Sequence, residues 1–243
     1  MSRTAIPHEH VEHLQVLYSE DRKFVFIAVP KTGTTTIQRK LLSIDTNIER
    51  NRVRNGSGEM VRVHTHATAK EIRAIMGKRA EAFTFVAFLR HPRDVLVSKY
   101  HYYRSGRAAK RHGFSSWARS EGGRWRPAIT LRVASARFLP FPIWARVYPV
   151  KQSSSFITDS SGALTVDKVG FLDRIQDDMN EIFGGLGYDL NELELGIENQ
   201  TDYVHPVTGD PTLNAIVTRR FPKDLAIFEK LYAKRTTRVF RGK

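Results

Sequence analysis

The segment Pro30-Lys31-Thr32-Gly33-Thr34-Thr35-Thr36 places a cation, a glycine and four hydroxyl side chains in one short stretch, directly after the apolar run FVFIAV (24–29). A glycine-containing turn between a buried strand and a helix points backbone N–H groups at one spot, and the helix start adds partial positive charge. Such a turn suits a phosphate. Lys31 would supply full charge, and Thr32, Thr34, Thr35 and Thr36 offer hydroxyl donors. The nucleoside-triphosphate loop G-x-x-x-x-G-K-[ST] is absent here, because the lysine precedes the glycine. A second stretch, RHPRDVLVSKY (90–100), sets Arg90 at the end of the apolar run FTFVAFL (83–89) and Ser98 two helical turns onward. Arginine and a hydroxyl are the residue types that hold a further anion. Two anion sites imply a ligand phosphorylated at two places.

Between them stands VHTHATAKE (63–71). His64 and His66 are two residues apart, so on an extended segment both would face one side. Imidazole is the side chain suited to removing a hydroxyl proton near neutral pH. A pair at this spacing could also hold a metal, but no third ligand of suitable type stands out nearby.

These residues need elements to carry them. Both apolar runs have buried-strand length and are followed by helical spacing, through Ile37, Leu41 and Leu42 in the first case and from Pro92 to about Tyr103 in the second. Thr68-Ala-Lys-Glu71 is a capping box opening a short helix that Gly77 can close. Phe156–Thr158 and Ala163–Val166 flank the turn sequence DSSG and predict a hairpin. Leu172, Ile175, Met179 and Ile182 mark one face of a helix stopped at Gly184-Gly185, and a last helix follows Pro222 with Leu225, Phe228 and Leu231 inward. Alternating strands and helices predict an α/β chain with a mostly parallel central sheet flanked by helices, and ligands at the carboxyl ends of its strands.

PKTGTTT and RHPRDVLVSKY, about 60 residues apart and in this order, resemble the 5'-phosphosulfate loop (here 29–37) and the 3'-phosphate motif (here 89–100) of sulfotransferases that use 3'-phosphoadenosine-5'-phosphosulfate, PAPS. Thr65-His66 resembles the Thr-His pair of the cytosolic and bacterial members, and PKDLAIFEKLY (222–232) resembles their terminal helix. The resemblance covers about residues 22–232 and implies the P-loop-like fold of that family in a single domain, 1–243. It implies PAPS as sulfuryl donor, adenosine 3',5'-bisphosphate as product, no metal, Lys31 at the developing charge and His66 as base. Lys31, Thr32, Gly33, Thr34, Thr35, Thr36, Arg90 and Ser98 would hold the donor. His64 is expected at the acceptor. Where many members carry Arg-Phe-Glu after a glycine, this chain has Phe171-Leu172-Asp173, and no role is transferred there.

Composition narrows the partners. The 243 residues carry 39 Lys and Arg against 25 Asp and Glu, a net charge of +14, which favours an anionic partner. Residues 104–126 concentrate seven Lys or Arg against one Glu, with Trp117 and Trp125 placed to stack on sugar faces, so this excursion reads as an acceptor contact for an anionic glycan or as solvated surface. A nucleotide phosphotransferase would need an acidic pair for Mg²⁺ beside the Lys31 loop, and none is evident. A nucleic-acid-binding protein would leave both phosphate motifs unexplained, and no signature of such a fold is present. With no cysteine, thiolate chemistry and disulfides are excluded. No apolar run approaches a membrane span and the N-terminus lacks a signal-peptide core, so a cytoplasmic enzyme is expected.

Overall fold

A computed structural model describes residues 15–105, 127–195 and 211–241, and side chains in all of these except 127–130 and 236–241. The residues group into two compact units, one of 1–90, 153–202 and 230–243, the other of 91–152 and 203–229.

The first unit is built on a five-stranded sheet. Its strands are β1 (Leu17–Ser19), β2 (Phe24–Ile27), β3 (Glu49–Arg50), β6 (Thr84–Leu89) and β7 (Lys168–Phe171), in the order β3-β1-β2-β6-β7. The pairs β2/β6 and β6/β7 are parallel, whereas β1 pairs antiparallel with both β2 and β3. The parallel part is therefore the three strands on one side of the sheet, β2, β6 and β7, and it contains both apolar runs. Every residue of β2 is buried, the pattern of a strand covered on both faces. Helix α1 (Thr34–Ile44) buries Ile37 and Leu41 on one side, where Phe24, Phe26, Val86 and Phe88 meet Met179, Ile182 and Phe183 of α6 (Ile175–Gly184). A separate hairpin of β4 (Arg52–Arg54) and β5 (Met60–Arg62) leads into α2 (Ala69–Met76).

The capping box forms as predicted: Thr68 Oγ1 accepts from Glu71 N–H at 3.2 Å, and Glu71 Oε2 accepts from Thr68 N–H at 2.7 Å. Gly77, at φ 57°, ends this helix. The hairpin predicted over 156–166 shrinks to one bridge, Thr158–Leu164. Asp159 Oδ1 accepts from the N–H groups of Ser161 and Ala163 and holds the turn without strands.

The second unit is helical. It contains α3 (Pro92–Arg104), α4 (Pro127–Phe138), α5 (Phe141–Val147), α7 (Pro211–Arg220) and the first part of α8 (Pro222–Arg241). Its core joins Leu96, Tyr100, Trp144, Tyr148 and Ile216, with the Trp144 and Tyr148 rings stacked 4.4 Å apart. Arg220 donates to the carbonyls of Ala145 and Tyr148 at 2.5 and 2.7 Å, closing the C-terminus of α5. No helix among the described residues is long and apolar enough to cross a membrane.

Candidate active site

The register of the central strands fixes where the two phosphate motifs begin. Ile27 pairs with Ala87, and Leu89 with Phe171, so β2, β6 and β7 end on one edge of the sheet. Adjacent strands lie about 4.8 Å apart. The Lys31 loop and Arg90 therefore leave neighbouring strands on the edge where such sheets bind ligands.

The loop after β2 is wound by its own side chains. Thr32 and Thr34 are buried, and their hydroxyls donate to the Val29 carbonyl at 3.0 and 2.7 Å. Of the four hydroxyls expected to face a ligand, these two are committed to the loop itself. Thr35 and Thr36 remain half-exposed. Gly33 O accepts from Thr36 N–H and Ile37 N–H at 3.0 and 3.3 Å, and helix geometry leaves the N–H groups of Thr34 and Thr35 without an acceptor inside α1. Gly33 lends no side-chain cap, and the first turn of α1 contains no acid. This helix start fits an anion.

Lys31 and Gly33 both lie in the left-handed region, at φ 71° and 79°. For a lysine that conformation costs about 1–2 kcal/mol, the kind of strain that concentrates at functional loops. Gly33 is needed twice over. A Cβ there would stand 2.4 Å from Leu172 Cδ1 and 3.3 Å from Ile175 Cδ1. The leucine tip can shift, so the lasting penalty is the backbone one. Gly33→Ala is expected to lose about 1–2 kcal/mol, seen as a lower midpoint in urea melts.

Leu172 thus packs directly on the loop, and its anchors were not evident from the sequence reading. Phe171 N–H donates to Oδ2 of fully buried Asp178 at 2.7 Å, and Arg235 donates to Oδ1 through Nε (3.0 Å) and Nη2 (2.7 Å). Arg235 also pairs with Glu181. Tyr232 donates to Asp173 at 2.6 Å, a bond that raises the phenol's pKa, and its ring meets Phe171 edge-on at 5.0 Å. A signal was present: Asp178 falls on the stripe of Ile175, Met179 and Ile182, where a lone acid demands a cation. Asp178→Asn, which retains one acceptor but loses the charge, is expected to cost about 2 kcal/mol, read as a drop in melting midpoint.

The histidine segment is a turn, which corrects the extended geometry expected for it. Ala67 N–H bonds to His64 O at 3.0 Å, and His66 N–H donates to His64 Nδ1 at 3.1 Å. The His64 ring that accepts there carries its hydrogen on Nε2. That bond separates the two residues by role: the exposed His64 braces the turn, and the half-buried His66 is presented by it. The rings are 5.8 Å apart, and His66 meets buried Phe156 edge-on at 6.4 Å. Behind them α2 is bolted to the sheet. Arg73 donates to Thr165 O and Asp167 Oδ2, both at 2.7 Å, and lies 3.9 Å over the Phe85 ring, while Asp167 Oδ2 accepts from Phe85 N–H at 2.7 Å. Among the described residues no group of three His, Cys, Asp or Glu could hold a metal ion.

In the second unit His91 caps α3 by accepting from Arg93 N–H at 3.2 Å, and Ser98 lies half-buried on that helix. Trp117 and Trp125 of the basic excursion lie outside the described residues.

The loop and Arg90 can bind anions, and the turn presents an imidazole. Residues 14–133 match the model described as the sulfotransferase family. No curated protein and no solved structure gives a significant match.

Proposed function

This chain belongs to the sulfotransferase family, and from that premise we propose that it moves a sulfuryl group from PAPS to a hydroxyl of a carbohydrate acceptor, with His66 as the base. The observation that carries the reading is the Lys31 loop: a strained cation and an uncapped helix start at the carboxyl edge of parallel strands, beside the strand that ends in Arg90. A singly charged helix cap would need neither the lysine nor its conformation.

PAPS supplies an activated sulfur whose leaving group is the 5'-phosphate of adenosine 3',5'-bisphosphate. The N–H groups at the start of α1 and the half-exposed Thr35 and Thr36 bind its phosphosulfate end. Arg90 takes the 3'-phosphate, as the second motif's resemblance implies. His66 accepts the acceptor hydroxyl's proton while that oxygen forms its bond to sulfur. The bond from sulfur to the phosphate oxygen breaks in the same displacement, and its electron pair stays on the departing phosphate. Lys31 offsets the negative charge growing on that oxygen, which is greater in the transition state than in the ground state. His64 keeps the His66 backbone in place.

The test is incubation with donor carrying radioactive sulfate, in EDTA, against a panel of glycans, lipids and phenols. Label on a glycan hydroxyl supports the reading. Label on no acceptor, or phosphate transfer from ATP with Mg²⁺ instead, contradicts it.

A further inference from the structure

We propose that Arg235 is a positioning residue for the donor loop: acting through Asp178, it keeps Leu172 seated on the turn at 31–33, and the affinity for the donor depends on that seat. This deepens the sulfuryl-transfer reading and rests on it.

Leu172 lies in the short turn Leu172–Arg174 that joins β7 to α6. The residues on either side of it are both held from α8. Before it, Phe171 N–H donates to Asp178 Oδ2 at 2.7 Å, and Arg235 donates to the other oxygen of that carboxylate through Nε and Nη2 at 3.0 and 2.7 Å. After it, Asp173 accepts from the Tyr232 hydroxyl at 2.6 Å, while the Tyr232 ring meets Phe171 edge-on. Tyr232 and Arg235 are three residues apart on α8 and so share one face of the helix. Asp178 is fully buried, and the Arg235 side chain is only 12% exposed. Without the guanidinium, a buried carboxylate takes up a proton or turns toward water. Either change weakens its bond to Phe171 and frees the turn that carries Leu172.

The other end of this chain of contacts is the loop. Leu172 Cδ1 and Ile175 Cδ1 stand 2.4 and 3.3 Å from where a Cβ on Gly33 would be. These two apolar tips close the loop from one side, while Thr32 and Thr34 tie it from within to the Val29 carbonyl. A left-handed lysine, at φ 71°, persists only where its surroundings hold it. The Leu172 side chain has no polar atom, so it acts by shape, keeping Lys31 and the first N–H groups of α1 in the geometry that meets the phosphosulfate. An ion pair on the terminal helix thus bears on the donor through one apolar contact.

The test measures the Kd of the full chain for adenosine 3',5'-bisphosphate by titration calorimetry, together with hydrogen exchange of the peptide covering 30–37. Arg235→Gln should bind about tenfold more weakly, and its exchange over 30–37 should rise about tenfold relative to that of β6. Arg235→Lys, which keeps a charge beside Asp178, should recover part of both. Leu172→Ala leaves the ion pair intact and should weaken binding to the same degree. Adding Arg235→Gln to it should cost less than a further factor of about two, because both act through one contact. Tyr188→Phe, which loses the bond to Asp45 at 2.6 Å in the same unit, should melt about 3 °C lower with unchanged affinity and unchanged relative exchange over 30–37. Wild-type affinity in Leu172→Ala or Arg235→Gln, independent losses in the double variant, an equal loss in Tyr188→Phe, or exchange rising equally in the loop and β6 would overturn the clamp. Were Arg235→Gln not to fold, the same cycle built with Arg235→Lys decides it. Failure of the wild type to bind the bisphosphate would instead remove the donor assignment, and the exchange of 30–37 then decides the clamp by itself.

Discussion

Lys31→Ala is expected to lower turnover by about two to three orders of magnitude, the usual loss when one group stabilising transition-state charge is removed. The fold should be unaffected, because alanine meets the same left-handed backbone that lysine does, at φ 71°. Lys31→Gly separates the two functions of this position. Glycine takes that conformation without a Cβ penalty, so this variant should be as inactive as Lys31→Ala yet more stable by about 1 kcal/mol. Single-turnover rates and melts on the two variants check both halves. Retained turnover in either would remove Lys31 from the chemistry. Equal stability would mean that the strain at 31 is not stored.

His66→Ala should cost about 10²–10⁴ in turnover while leaving the affinity for adenosine 3',5'-bisphosphate unchanged. His64→Ala should cost much less, about tenfold, because it removes only the acceptor of the His66 N–H at 3.1 Å. The substitution His64→Asn provides an amide oxygen in place of Nδ1 and should restore part of that loss. If His64→Ala were the more damaging variant and His64→Asn gave no rescue, the two roles would be reversed.

The parts of this site that were legible in the sequence are the local ones. FVFIAV followed by a glycine turn, FTFVAFL followed by Pro92, and Thr68 with Glu71 each specify their element within about ten residues, and β2, β6, α1, α2 and α3 all appear there. The short strands were not legible. β1, β3, β4 and β5 are two or three residues long, too short for a periodic signal, and exist through partners far along the chain, such as Leu17 with Phe26 and with Arg50. Helices α4, α5 and α7 were missed as well. Within them Leu131, Phe138, Ile143 and Val147 are apolar yet exposed and Pro142 breaks the pattern, and this blurs the helical stripe.

Residue types announced the donor loop, but not how its hydroxyls are spent. Thr32 and Thr34 look identical to Thr35 and Thr36 in sequence, and only the position of the Val29 carbonyl separates them. Leu172 shows the same limit. Its motif departs from the family pattern, and its contact with the Gly33 position depends on β7 being the parallel neighbour of β6. The histidine pair was visible, yet its division of labour depends on a single bond from His66 N–H to His64 Nδ1.

The most direct measurement is thermal melting in EDTA with adenosine 3',5'-bisphosphate, with adenosine 5'-monophosphate and with ATP plus Mg²⁺ as separate arms. A ligand gripped at both phosphates should, at 100 times its Kd, stabilise the chain by about 2.7 kcal/mol, and the monophosphate at the same concentration should give far less. Equal shifts from the mono- and bisphosphate, or a larger one from ATP with Mg²⁺, would contradict donor binding through two phosphate motifs.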